Sequence, residues 1–278
     1  MRGLFQKVVL VVVDGLRPDA VTAEGMPALH ALMCQAWRAE WAVTVRPSVT
    51  VAALTSLATG VSPATHGITE ASLRHLPRVR GFRPLPLELR RLGVETTIVA
   101  PELPGAGRFL AGALLRLAGA HRLVTPGSAP GGLIDAAIQQ IEGNPNRELV
   151  VVYLNDADLA GHAWGWMSPA YRLAANVIDK ALARIVRLTT GQDTLIIITA
   201  DHGGGGVLER DHDHPHPTND GIPLMLLGGR VAPGCFSSGP VRLLDIPPTV
   251  LHGFGGIVPA AYEGRVIHEA FAPELVSA

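Results

Sequence analysis

The sequence predicts an α/β fold: a mostly parallel central sheet with helices on both faces. Three observations predict it. Short aliphatic runs alternate with helical segments, the pattern of strands joined by crossovers. The runs are mostly aliphatic, as parallel strands buried on both faces are. Of 278 residues, 47% are hydrophobic, 17% charged and only 5% aromatic. That is ample aliphatic material for a core.

Four runs have the length and β-branched content of buried strands: residues 8–13, 96–100, 149–154 and 194–199. A fifth, 224–227, sits between Pro223 and Gly228. Between them, residues 26–38 carry Leu29, Leu32 and Met33 at helical spacing. Residues 85–92 and 132–141 are similar. Ser168 and Pro169 are a good N-cap and first-turn residue for a helix running to about residue 189. The stretch 67–132 is less regular and rich in Arg, Pro and Gly, so a small cap is expected within it. The economical organisation is one domain over 1–278.

Bulk properties exclude several classes. A net charge of −1 and the absence of like-charge blocks argue against a nucleic-acid polymer as partner. The two cysteines, Cys34 and Cys235, do not make a disulfide framework and read as buried free thiols. The valine run after Met1 is too short for a signal peptide, and Asp14-Gly15 breaks it. No stretch approaches the ~20 apolar residues of a membrane helix. The expected location is therefore cytoplasmic, without a membrane partner.

The candidate chemistry follows the strands. Asp14 follows the first, Asp156 and Asp158 the third, Asp201 and His202 the fourth. Ligands in open α/β sheets bind outside these carboxyl ends. Three strands thus bring carboxylates to one edge, where divalent cations would neutralise their repulsion. Singly, each piece has an ordinary reading: Asp14-Gly15 as a turn, and the tract Asp211-His212-Asp213-His214-Pro215-His216 as a solvated surface. Asp158 and His162 are four apart, one helical turn. After Asp201-His202, the glycines 203–206 suggest a loop that approaches a ligand closely. Together, carboxylates and imidazoles suit zinc, with manganese or iron as alternatives. Two clusters suggest two ions about 4 Å apart.

These motifs carry a resemblance. Arg46-Pro47-Ser48-Val49-Thr50, the segment 58–68, the Asp158/His162 pair, Ala200-Asp201-His202-Gly203 and the ending 243–251 occur in an order similar to the alkaline phosphatase superfamily. The nearest branch is the nucleotide pyrophosphatase/phosphodiesterase one. The resemblance implies an alkaline phosphatase-like fold with a reduced cap. It implies a metal-dependent phosphoric ester hydrolase with two divalent ions, zinc first. Asp14, Asp201 and His202 would hold one ion together with Thr50. Asp158 and His162 would hold the other with a histidine of the 212–216 tract: His216 first, His214 second, His212 third. Thr50 would be the nucleophile, at the start of a helix near Val51 whose amides face the anionic substrate. An ordinary N-cap threonine is the plainer reading of Thr50. His66-Gly67 fits the same pattern in a structural role.

The departures are specific. Ala53 stands where the phosphodiesterase branch often has an Asn, and Val51 where classical bacterial phosphomonoesterases have an Arg. The expected partner is a small-molecule phosphoester. Diesters or phosphoanhydrides are expected over monoesters, because aliphatic residues surround Thr50 and only Arg46 is cationic nearby. Alternatives are a phosphomonoesterase or phosphotransferase of the same superfamily, or a catalytically silent member that binds a phospho-ligand. A sulfatase-like enzyme is disfavoured, since Thr50-Val51-Ala52-Ala53-Leu54 lacks the Cys/Ser-x-Pro-x-Arg context.

Overall fold

The computed structural model describes residues 3–70, 81–102, 112–113, 115–185, 188, 193–234, 237 and 239–272. Its centre is β1 (Lys7–Val13), whose last six residues are buried. Six consecutive Leu and Val residues have this environment because β1 is flanked on both sides. It pairs in parallel with β6 (Glu148–Leu154) and with β7 (Thr194–Thr199). Outside β6 lie β4 (Glu95–Val99) and then β5 (Arg122–Val124), both parallel. Outside β7 lies β9 (Leu224–Leu227), antiparallel, and then β2 (Trp37–Arg38). The order across the sheet is β2-β9-β7-β1-β6-β4-β5. A second, small sheet joins β3 (Ala42–Val43), β8 (Gly221–Ile222) and β10 (Val241–Arg242).

Helices cover both faces, as the apolar runs require. On one side, α1 (Pro27–Leu32), α5 (Pro130–Gly143) and α6 (Asp156–Trp164) pack around α7 (Pro169–Ile185). On the other, α2 (Thr50–Thr59) packs with α3 (Pro63–His66), α4 (Leu85–Arg91) and α9 (Ile246–Gly253). The one-turn helix α8 (Pro217–Asp220) leads into β8. The Ser168 hydroxyl accepts from the Tyr171 amide at 3.2 Å, so it starts α7 as expected.

Two expectations need correction. The helix expected over 26–38 stops at Leu32, and Trp37 pairs instead with Leu226 as an edge strand. The buried indole of Trp37 fills the sheet edge, and tertiary packing outweighs the helical spacing. Cys34 is a free thiol but is exposed, not buried, while Cys235 lies outside the described residues. The end expected near residue 189 also lies outside them; the described helix ends at Ile185. Residues 71–80 and 103–111 of the stretch expected to hold a cap are likewise outside. The described part of that stretch adds β4 and β5 to the main sheet. Among the described residues, no helix is long and apolar enough to cross a membrane.

Candidate metal centre and nucleophile

All the strand-end residues meet at one edge. Asp14 continues β1, its amide donating to Leu154 O at 2.8 Å. Its carbonyl accepts from the Asp158 amide at 3.1 Å, which docks the first turn of α6 against it. Asp201 and His202 follow β7 and are both fully buried. Thr50 is the first residue of α2, and the extended Val49 precedes it. Thr50 caps nothing with its side chain. Its Oγ1 lies 3.1 Å from His202 Nε2 and donates towards Asp14 Oδ1 at 3.5 Å. Amides before Ala53 have no intrahelical acceptor, because the Ala53 N–H is the first to close, on Val49 O at 3.0 Å.

Two groups of ligand atoms form. Asp14, Asp158 and His202 make one, and Asp158, His162 and His212 the other; within each, the atoms lie inside 4.8 Å of one another. Asp158 belongs to both. Asp201 adjoins the first, its Oδ2 3.7 Å from His202 Nε2. The three imidazoles share one arrangement. His202 Nδ1 lies 2.8 Å from Gly203 O, His162 Nδ1 2.9 Å from Arg210 O, and His212 Nδ1 2.7 Å from Ser48 O. A carbonyl only accepts, so each Nδ1 carries the proton and each Nε2 faces the carboxylates. That is how histidines are fixed for a metal. The Nε2 atoms of His162 and His212 lie 3.2 Å apart. Two lone pairs at that distance repel unless a cation stands between or beside them.

The histidine of the 212–216 tract that the structure groups with Asp158 and His162 is His212, whereas the His216 expected first lies outside both groups. His216 Nδ1 accepts from the Thr218 amide at 3.2 Å and caps α8. Its tautomer is the reverse of the other three. His214 is exposed, its Nδ1 3.8 Å from Asp211 Oδ2. His212 is held from both sides, because the Ser48 hydroxyl donates to its carbonyl at 2.6 Å. Its ring stacks on His202 at 3.9 Å between centroids. Asp156 heads α6 but joins neither group. His66 is buried and bonds Ser56 Oγ at 3.0 Å, a structural role.

The electrostatics of the edge are those of crowded carboxylates. Burial, then the Asp14 charge, pushes Asp201 up to about 8 and Asp158 up to about 6. Burial would raise Asp14 too, but the bond from His202 and the Tyr153 hydroxyl hold it below the usual carboxylate range. Burial would lower His202, yet Asp201 and Asp14 raise it to about 10. His212 falls to about 4 through burial and the His202 charge beside it. With protons as the only cations, the edge thus retains extra ones. Asp201 Oδ2 and Asp158 Oδ1 are buried and have no hydrogen-bond partner. Orphaned carboxylate oxygens facing fixed Nε2 atoms are what divalent ions need, and the donor set fits them.

Two residues escaped the sequence reading. Tyr153, on β6, donates its O–H to Asp14 Oδ2. Its only signal was a polar tip in an otherwise aliphatic strand. Trp166 stands behind the second group, its ring 5.1 Å from His162 and 5.7 Å from His212. It also corrects the expectation for the glycine loop. A Cβ at Gly204 or Gly205 would strike Trp166, one at Gly206 would strike His216, and one at Gly203 the Thr218 carbonyl. These glycines make room for neighbouring protein rather than for a ligand.

Comparison with known proteins agrees with this fold. Residues 8–82 match the family model described as type I phosphodiesterase / nucleotide pyrophosphatase. Residues 119–256 match that of the metalloenzyme superfamily. The 2,3-bisphosphoglycerate-independent phosphoglycerate mutase of Synechococcus elongatus is 32% identical over 150 residues, which is 51% of this chain and 27% of that protein. The chain thus spans little more than a quarter of the mutase's length. Murine ectonucleotide pyrophosphatase/phosphodiesterase 5 has a TM-score of 0.74 at 14% identity, over 96% of this chain and 100% of that one. A protein in the alkaline phosphatase superfamily from Vibrio parahaemolyticus has a TM-score of 0.73 at 16% identity, over 98% and 72%.

Proposed function

We propose that this chain, a member of the alkaline phosphatase superfamily, is a two-metal phosphoester hydrolase that uses Thr50 as its nucleophile. The observation that carries this is the position of Thr50 Oγ1: at the start of α2, 3.1 Å from His202 Nε2 and 3.5 Å from Asp14 Oδ1. Asp14, Asp201, His202 and Thr50 would hold one divalent ion; Asp158, His162 and His212 would hold the other. Bound there, the ions would neutralise phosphoryl oxygens, lower the Thr50 hydroxyl pKa and stabilise the leaving oxygen. Zinc suits this donor set first. The chain's own residues do the rest. The amides of the first α2 turn present N–H donors to the anionic phosphoryl group. Thr50 Oγ1 forms the new bond to phosphorus as the ester oxygen leaves with its electron pair. Water then releases the phosphoryl group from Thr50.

The substrate is a phosphodiester or phosphoanhydride in preference to a monoester. A monoester brings a further negative charge, which is costly in a partly dry site without a cation to meet it. Arg46 is bound to the carboxylate of Asp220, and Arg17 bonds Asp19 at 2.8 Å through Nε. Neither guanidinium therefore offers the site an unpaired charge. The test is kcat/KM for p-nitrophenyl phosphate against its methyl or thymidine diester, at one pH and metal loading. A diester preference is expected. A monoester preference of about tenfold or more, about 1.4 kcal/mol, contradicts it. Thr50→Ala is expected to lose roughly a thousandfold or more in turnover while keeping its metal. Wild-type turnover in that variant would reject the nucleophile.

A phosphotransferase reading is favoured by one observation, the match to the phosphoglycerate mutase. Product analysis with a polyol present decides it. Phosphate released to water supports the hydrolase, and a phosphorylated polyol supports transfer.

A further inference from the structure

We propose that Trp166 is a positioning residue for the second metal group, setting the aim of His162 and His212. The inference rests on the reading that Asp158, His162 and His212 hold a divalent ion. Trp166 is buried, and its indole lies against His162 and His212 and bonds the Gly15 carbonyl just after Asp14. Its ring meets His162 edge-on at 79° and His212 at 74°. Each imidazole is already tied by its Nδ1–H to a carbonyl, Arg210 O or Ser48 O. That bond fixes one end of each ring; His212 is further held by its stack on His202, while His162 keeps rotation about its bond. The indole packs beside both rings and limits that rotation, so each Nε2 stays directed at Asp158.

The surroundings are shaped to the ring. A Cβ at Gly161, one residue before His162, would sit 2.5 Å from Trp166 Cε2, and one at Gly205 would lie 2.6 Å from Trp166 Cβ. Helix α6 and the loop after β7 thus both carry glycine where the Trp166 side chain lies. The indole Nε1–H donates to Gly15 O at 2.9 Å, and the Trp166 amide donates to Glu209 O at 2.9 Å. The first contact ties the ring to the turn after Asp14. The second ties it to the loop that supplies Arg210 O to His162. Tyr171 also donates to Gly15 O, at 3.0 Å, so the Asp14 turn keeps one donor if the indole is lost. The selective effect of removing Trp166 therefore falls on the second group.

The test uses the full chain and Zn2+, titrated against a competing chromogenic chelator, in wild type, Trp166→Phe and Gly161→Ala. Trp166→Phe keeps an aromatic body and loses the N–H and the second ring. Gly161→Ala keeps the tryptophan and displaces it. Wild type is expected to bind two Zn2+. In both variants one of the two is expected to weaken about 10- to 100-fold, the size typical of residues that orient ligands. The other is expected to stay within about threefold. Two unchanged affinities, or two equal losses, overturn the positioning role while leaving the two-metal reading standing. Wild type that binds no Zn2+ overturns both.

Discussion

The two ends of the central sheet each bury a carboxylate, and they treat it in opposite ways. At the amino end, Glu148 is fully buried and fully satisfied. Its Oε1 accepts from Thr97 Oγ1 at 2.6 Å and Gln140 Nε2 at 2.8 Å. Its Oε2 accepts from Asn144 Nδ2 at 2.8 Å and faces Lys7 Nζ at 3.7 Å. At the carboxyl end, Asp201 is equally buried, but its Oδ2 has no partner, and neither has Asp158 Oδ1. Burial alone therefore does not mark a functional carboxylate. An oxygen left without a donor, beside imidazoles whose Nε2 atoms turn towards it, does.

The sharpest way to break this comparison is to neutralise each carboxylate. Asp201→Asn is expected to weaken metal binding roughly 100-fold or more. In the metal-free protein the same change removes the need to protonate a buried carboxylate on folding and raises stability by roughly 1–3 kcal/mol. Glu148→Gln is expected to leave metal affinity unchanged and to cost about 1–3 kcal/mol, because a buried network loses its acceptor. Chelator competition and denaturant melts read both quantities. If the two variants move affinity and stability in the same direction, the ends are not different in kind.

A second expectation separates two histidines four residues apart. His212→Ala is expected to lose one of the two ions. His216→Ala is expected to keep both and to cost about 1 kcal/mol through its lost helix cap. Metal content by mass spectrometry distinguishes them, and the reverse outcome would return the ligand role to His216.

The fold was legible because the five longest described strands are largely aliphatic runs with turn residues at their ends. The carboxylates were legible because each directly follows such a run. His212 was not, since three histidines share one tract and the choice depends on hydrogen bonds to Ser48, 164 residues away in sequence. The glycine loop was misread for a similar reason. Its neighbour Trp166 is distant in sequence, and nothing local to residues 203–206 reveals an indole above them. Edge strand β2 was hidden by apolar residues at helical spacing, which an amphipathic helix and a strand following a short helix share.

The smallest expected effect concerns protons. Asp201 at about 8 and His202 at about 10 both lie above their ordinary values. A raised group favours the folded state at low pH, and that contribution is lost as pH rises through the folded value. The metal-free protein is therefore expected to lose stability from about pH 4 to 8 through Asp201 and from about pH 6.5 to 10 through His202. Metal binding must displace the same protons, so affinity rises with pH and roughly two protons are released at pH 7. Calorimetry in buffers of different ionisation heat counts them. Binding without proton release would contradict the crowding of charge at the carboxyl end.

The central claim, that this edge is built for two cations, is tested most directly by counting them. Protein purified without chelator is weighed under native conditions and its metals quantified by mass spectrometry. The account predicts close to two divalent ions per chain, falling to about one in His212→Ala. A fully loaded preparation holding one ion or none would contradict it.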